Sequence, residues 1–170
     1  MKVIQIVGFQ NSGKTTLVEN VIRRLTCKGL EVATIKHHGH GGAPDYGPRR
    51  DSLKHMEAGS TISTVEGSGG IQLVSNSRGW NLERILSFYK FLGTETVIVE
   101  GYKREKYPKI VILRSKQDLH LLKELSDIIA VVVWGDLEIK EEIPVFHITD
   151  TEKLLEWIGK EVDLSNGKNV

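Results

Sequence analysis

The sequence predicts an α/β fold, a mostly parallel central sheet flanked by helices, with an added β-hairpin. Three observations predict it. Strand, helix and strand follow one another within the first 36 residues, and such a βαβ unit implies parallel strands joined by a right-handed crossover. Further strongly apolar runs recur at 96–100 (TVIVE), 109–114 (KIVILR) and 128–134 (IIAVVVW). Between the first strand and the first helix, residues 8–15 read Gly-Phe-Gln-Asn-Ser-Gly-Lys-Thr, a glycine-rich turn of the type G-x-x-x-x-G-K-[ST].

Residues 2–7 (KVIQIV) form a buried strand ending at Gly8. Over 14–28 the residues Leu17, Val18, Val21, Ile22 and Leu25 fall on one helical stripe, and Gly29 is placed to end that helix. Residues 31–36 (EVATIK) make the second strand. Residues 37–50 (HHGHGGAPDYGPRR) break the pattern with clustered Gly and Pro, and a long loop inside a compact domain is commonly functional. A short helix is expected over 51–58, from Asp51 to the stop at Gly59. Residues 61–66 and 70–75 are short strands around a tight turn at 67–70, a hairpin. Asn81 caps a helix over 82–92, a short helix lies at 117–125, and a last strand covers 144–148. Thr149 or Asp150 caps a closing helix to about Gly159. These elements make one domain over 1–162, with the hairpin at 61–75 inserted and a frayed polar tail at 163–170.

Composition narrows the function classes. Lys and Arg total 23 against 22 Asp and Glu, interspersed and with no basic tail, so no nucleic-acid partner is expected. The single cysteine, Cys27, allows no intrachain disulfide and points to a reducing compartment. The opening MKVIQIVGF reads as a strand and not as a secretion signal, and no run of about 18 apolar residues is present to span a membrane. A cytoplasmic location is the expectation.

The chemistry concentrates in residues 8–15. Gly8 and Gly13 let the backbone close around phosphate oxygens, and the N–H groups of Asn11, Ser12 and their neighbours point inward. The helix that follows directs its positive end at the anion. Lys14 adds a point charge toward the outer phosphates, the Thr15 hydroxyl is placed to ligate Mg²⁺, and Thr16 faces the α-phosphate side. The plan is that of a P-loop NTPase. Glu100 ends the apolar strand TVIVE, where it can hold the metal or orient an attacking water, and with Lys14 it forms the candidate catalytic pair. Gly101 keeps the backbone near the γ-phosphate, and Lys103 reaches toward the same place. Where the base is guanine, a carboxylate would read it by accepting from its N1–H and 2-amino group. Asp118, in Ser115-Lys116-Gln117-Asp118, and Asp136, after the strand IIAVVVW, are both candidates. His37 and His38 lie where open parallel sheets bind ligands and are candidate nucleotide or partner contacts. With His40 and His55 they also raise a metal site as an alternative.

Taken together, VGFQNSGKTTL at 7–17, ATIKHHGH at 33–40, RRDSLKHMEAG at 49–59 and TVIVEGYKREKYPKIVILR at 96–114 resemble the molybdopterin-guanine dinucleotide biosynthesis protein B (MobB) family. The resemblance implies a homodimeric P-loop protein that binds GTP with Mg²⁺, hydrolyses it weakly and assists a MobA-type nucleotidyltransferase. That enzyme attaches GMP to molybdopterin in molybdenum cofactor biosynthesis. The resemblance also keeps Asp51 as a metal or switch residue. It displaces the family's preceding Lys to Arg50, a candidate partner or substrate contact. Two other readings use the same loop: a small-molecule kinase with Arg49, Arg50 and Arg104 as a lid, and a metal-delivery GTPase using the histidines.

Overall fold

A computed structural model describes residues 1–39, 51–140 and 142–166. In chain order the elements are β1 (Lys2–Gly8), α1 (Lys14–Cys27), β2 (Val32–Lys36), α2 (Asp51–Glu57), β3 (Ile62–Gly67), β4 (Gly70–Ser75) and α3 (Leu82–Phe91). They continue with β5 (Thr96–Glu100), β6 (Lys109–Leu113), a 3₁₀ turn (Lys116–His120), α4 (Leu121–Glu124), β7 (Ile128–Val133), β8 (Val145–His147) and α5 (Thr151–Asn166). The chain forms two compact units, Met1–Gly39 with Phe88–Val170, and His40–Ser87.

The first unit is built on a six-stranded sheet in the order β2-β5-β1-β6-β7-β8. Every neighbouring pair in it is parallel. Alternation along the strands divides their side chains between two covered faces. Ile4, Ile6, Ile98, Ile110, Ile112 and Val132 pack with Leu17, Val21 and Leu25 of α1 and Leu154 and Ile158 of α5. On the opposite face Val7, Val111, Leu113 and Val131 pack with Leu121 of α4. The strands β5 and β6, buried along their whole length, are the apolar runs that the sequence marks most clearly. From β1 the chain passes through α1 to β2, two positions away, and β5 fills the gap between them. This arrangement brings the carboxyl ends of β1, β2 and β5 side by side, with Ile6 opposite Glu100 and Lys36 opposite Glu100.

Lys109 and Gln5 are polar side chains that sit fully buried inside this sheet. Lys109 donates to the carbonyls of Glu105, Tyr107 and Ser126 at 2.9, 2.9 and 2.7 Å, tying the β5–β6 connection to the start of β7. Burial pushes its ammonium below the ordinary lysine value, opposed by Asp127 and Glu105. Gln5 of β1 donates to the carbonyls of Gly101 and Tyr102 at 3.2 and 2.8 Å and so fixes the turn after β5.

The second unit holds α2 and the antiparallel pair β3–β4, a separate two-stranded sheet. Its turn has positive φ at Ser68 (51°) and Gly69 (79°), the twist-matched geometry of a two-residue hairpin. Ser63 and Val74 pair on its buried face, while Ile62, Leu73 and Ile71 share the other face and are exposed. Asn81 caps α3 as expected, its Oδ1 accepting the Arg84 N–H at 2.9 Å.

Two expectations change. The helix foreseen over 117–125 is a 3₁₀ turn followed by the single-turn α4, because the Asp118 carboxylate accepts the Arg114 N–H at 2.7 Å and winds the segment tightly. The closing helix does not stop at Gly159 but runs to Asn166, into the segment expected to fray. Gly159 is an approach point and not a terminator: a Cβ there would lie 2.7 Å from Lys28 Nζ, at the end of α1. Residues 167–170 of the expected tail lie outside the described residues.

Candidate functional site

The site grows from the carboxyl end of β1. Gly8 is the last residue of the strand, and the chain turns there close against β6. A Cβ on Gly8 would lie 2.9 Å from the Ile112 carbonyl oxygen and 2.7 Å from Ser12 Oγ, so only hydrogen fits. The loop then passes through Asn11 at φ 58° and Gly13 at φ 87°, the residue that starts α1. The Ser12 hydroxyl is buried inside the loop and has no hydrogen-bond partner among the described residues. Trp134, at the end of β7, covers the outer side of the loop and donates its indole N–H to the Ser12 carbonyl at 3.1 Å. His147 holds this segment in turn, its Nε2 lying 3.2 Å from the Trp134 carbonyl.

The first turn of α1 presents Lys14 and Thr15. Lys14 Nζ donates to the Phe9 carbonyl at 2.6 Å, folding the ammonium over the loop. Burial lowers its pKa from the ordinary lysine value. Glu100 works against that shift, while Lys103 and Lys36 add to it. Thr15 Oγ1 donates to the Glu100 carboxylate, 3.1 Å from one oxygen and 3.2 Å from the other. A hydroxyl and a carboxylate are the hard oxygen donors that Mg²⁺ takes, so these residues fit that ion. Thr16 is exposed on the same turn.

Lys36, ending β2, completes the group. Its Nζ donates to Thr15 Oγ1 at 3.2 Å and lies 3.3 Å from Glu100 Oε1. After Glu100 the chain turns sharply through Gly101 (φ 99°) and Tyr102 (φ 54°). The turn is held by Gln5 and by the Gly101 N–H donating to the Ile6 carbonyl at 3.0 Å. Gly101 is required here by space as well, since a Cβ would lie 2.9 Å from His37 Cβ. His37 donates its backbone N–H to the Glu100 carbonyl at 2.9 Å and packs its ring on Tyr102, centroids 4.2 Å apart. Lys103 sits 4.0 Å above the Phe9 ring, and burial lowers its pKa against the attraction of Asp118 and Glu124. Lys14 and Lys36 beside the Glu100 carboxylate, with Lys103 close to Lys14, make an electropositive, amide-lined mouth suited to a polyanion.

Most of the residues expected from the sequence therefore meet at one place: Gly8, Ser12, Gly13, Lys14, Thr15, Glu100, Gly101, His37 and, through Phe9, Lys103. Asp118 uses one carboxylate oxygen to close its own loop on Arg114. Asp136 is exposed two residues beyond Trp134, and His38 is exposed in the loop after β2. Asp51 belongs to the second unit, where its carboxylate accepts from Lys54 at 2.7 Å, and His55 follows in the same helix. Arg49, Arg50 and His40 lie outside the described residues. Among the described residues no three His, Cys, Asp or Glu side chains gather as a metal site, and no helix is long and apolar enough to cross a membrane.

Sequence reasoning missed Lys36, Trp134 and Gln5. Lys36 carried a signal, a lysine ending a strand ahead of the histidine loop. Its value depends on the pairing of β2 with β5, which skips 59 intervening residues between Lys36 and Thr96.

Comparisons with known proteins place the chain in a family. The family model described as MobB, molybdopterin guanine dinucleotide synthesis protein B, matches residues 3–134. The probable molybdopterin-guanine dinucleotide biosynthesis adapter protein of Bacillus subtilis is 40% identical over 151 residues, 87% of this chain and 86% of that protein. The crystal structure of B. subtilis MobB has a TM-score of 0.82 at 35% identity, covering 94% of this chain and 97% of its own. That of a MobB homologue from Bacillus stearothermophilus has 0.80 at 35% identity, covering 96% and 99%. A P-loop NTPase-like fold, a matching family model over most of the length and identity of this level together show that the chain belongs to the molybdopterin guanine dinucleotide synthesis protein B family.

Proposed function

We propose that this protein binds GTP with Mg²⁺ at the β1–α1 loop and serves as an accessory protein of molybdenum cofactor biosynthesis. In that role it assists a MobA-type nucleotidyltransferase in attaching GMP to molybdopterin. The family and the adapter-protein names of the relatives support the pathway. The observation that carries nucleotide binding is the Thr15 hydroxyl against the Glu100 carboxylate at the mouth of the glycine loop, 3.1 and 3.2 Å apart.

The chain's own groups divide the work. Backbone N–H groups of residues 8–15 and the start of α1 bind the phosphates. Lys14 exchanges the Phe9 carbonyl for the outer phosphates. Thr15 and Glu100 hold the metal, and Glu100 orients water. The bound Mg²⁺ supplies neutralisation of the charge that develops on the leaving phosphate. Turnover is slow, because the cations that meet at the loop, Lys14, Lys36 and Lys103, are lysines and not the arginine finger that speeds phosphoryl transfer. Contact of Trp134 with the loop favours the neighbouring Asp136 as the guanine reader over Asp118. The exposed Ile62, Leu73 and Ile71 of the hairpin support a homodimer built on that face.

Calorimetric titration of GTP against ATP tests the reading on wild type, Thr15→Ala, Asp118→Ala and Asp136→Ala. GTP preference in the wild type, weakening in Thr15→Ala and loss of preference in Asp136→Ala are expected. Equal affinity of wild type and Thr15→Ala for GTP would remove the site. Capture of a MobA-type enzyme and light scattering on the same preparation test the partner and the dimer.

A further inference from the structure

Lys36 performs a task that the glycine loop and its acid leave open. We propose that Lys36 is a built-in counter-cation: it occupies the donor set that a divalent ion needs, keeps Thr15 and Glu100 in register before the ion arrives, and lets the site hold a nucleoside polyphosphate with reduced dependence on the metal. The inference rests on the nucleotide-binding reading above.

The atoms carry the argument. An ammonium has donors only and a divalent cation accepts lone pairs only, so both need electron-rich oxygens. Lys36 Nζ uses Thr15 Oγ1, at 3.2 Å, and Glu100 Oε1, at 3.3 Å. The same Thr15 hydroxyl donates its proton to Glu100, so the lone pair given to Lys36 is the one that would ligate a metal. Ammonium and divalent ion therefore exclude each other, by shared lone pairs and by like charge.

The geometry also makes the exchange cheap. Lys36 ends β2 directly opposite Glu100, so its backbone is fixed by the sheet ladder and its side chain starts beside the acid. Its side chain is 64% exposed while that of Glu100 is 11% exposed. The acid stays and the lysine head moves into water on its flexible stem. Without Lys36 the largely buried carboxylate would face incoming phosphates uncompensated until a metal arrived. With it, the site carries its own positive charge.

The test compares GTP affinity in excess Mg²⁺ and in EDTA for wild type, Lys36→Met and Lys36→Arg, with thermal melting as a check on folding. In Lys36→Met, affinity in EDTA falls about tenfold, the scale of one charge-assisted contact, and falls less in Mg²⁺, so the ratio of the two rises. Lys36→Arg keeps the charge and restores most of the EDTA affinity. An unchanged ratio in Lys36→Met, whether both affinities hold or both fall together, overturns the inference and leaves the nucleotide site standing. Absence of GTP binding by the wild type in either condition overturns both.

Discussion

Replacing Gly8 by Ala isolates the close approach on which the phosphate loop depends. The new methyl would lie 2.9 Å from the Ile112 carbonyl oxygen and 2.7 Å from Ser12 Oγ. Ser12 can turn its hydroxyl, although it is fully buried, but the Ile112 carbonyl belongs to β6, whose side chains are buried throughout. Relief must come from the loop, which has to lift off β6 by about half an ångström to reach ordinary contact. Overpacking of this kind costs about 2 kcal/mol, and in a domain of this size that lowers Tm by about 4–8 °C. The same lift displaces the N–H groups after Gly8, so under the proposed function GTP affinity should fall with stability. The comparison is Gly135→Ala, where a Cβ meets nothing within 4 Å, and whose melting temperature should stay at the wild-type value. Scanning calorimetry on both variants decides the matter. A Gly8→Ala protein that melts within about 1 °C of wild type would refute the crowding at β6, since even a 1 kcal/mol cost shifts Tm by about 2–4 °C.

Lys14 gives a pH dependence with a definite sign. Its pKa in the free protein is lowered, chiefly by burial; phosphates bound as proposed would raise it, so above the free value binding would take up a proton and affinity should fall as pH rises. Isothermal titration across the alkaline range should show the decline beginning below the ordinary lysine value, and Lys14→Arg should flatten it. Lys109→Met removes three donated hydrogen bonds that pin residues 105, 107 and 126. A loss of about 3 kcal/mol is expected, the gross value of the charge-assisted bonds being offset by relief of a buried ammonium. Denaturant unfolding measures it, and hydrogen exchange should quicken over 101–108. Trp134 touches the loop through Ser12, so GTP should change its emission. Trp134→Phe should abolish the response while Trp80 and Trp157 keep their signal, and a response that survives in the variant would place the reporter elsewhere.

The order of the elements and most of the site were legible in the chain itself. The motif at 8–15 and the apolar runs at 2–7, 96–100 and 109–114 are local patterns, and the rules that read them are local: spacing, periodicity and the need of a phosphate for amides. Glu100 was legible too, because an acid ending an apolar strand has to emerge at the strand's carboxyl edge. Local rules also fail at identifiable points. Gly159 was read as a stop because glycine often ends helices, whereas here it makes room for Lys28 from α1. The segment after β6 tightened into a 3₁₀ turn because Asp118 bonds back to Arg114.

Sequence alone thus determined that a glycine loop, a lysine, a hydroxyl and an acid would be present at the ends of parallel strands. Only the tertiary structure decided which strands are neighbours. Placing β5 between β1 and β2 sets Glu100 against Thr15 on one side and Lys36 on the other. Bringing the end of β7 across to the loop sets Trp134 on Ser12. Such pairings join residues 85 and 122 positions apart, and they follow from burial on both faces of the whole sheet, a property that no short window of sequence contains.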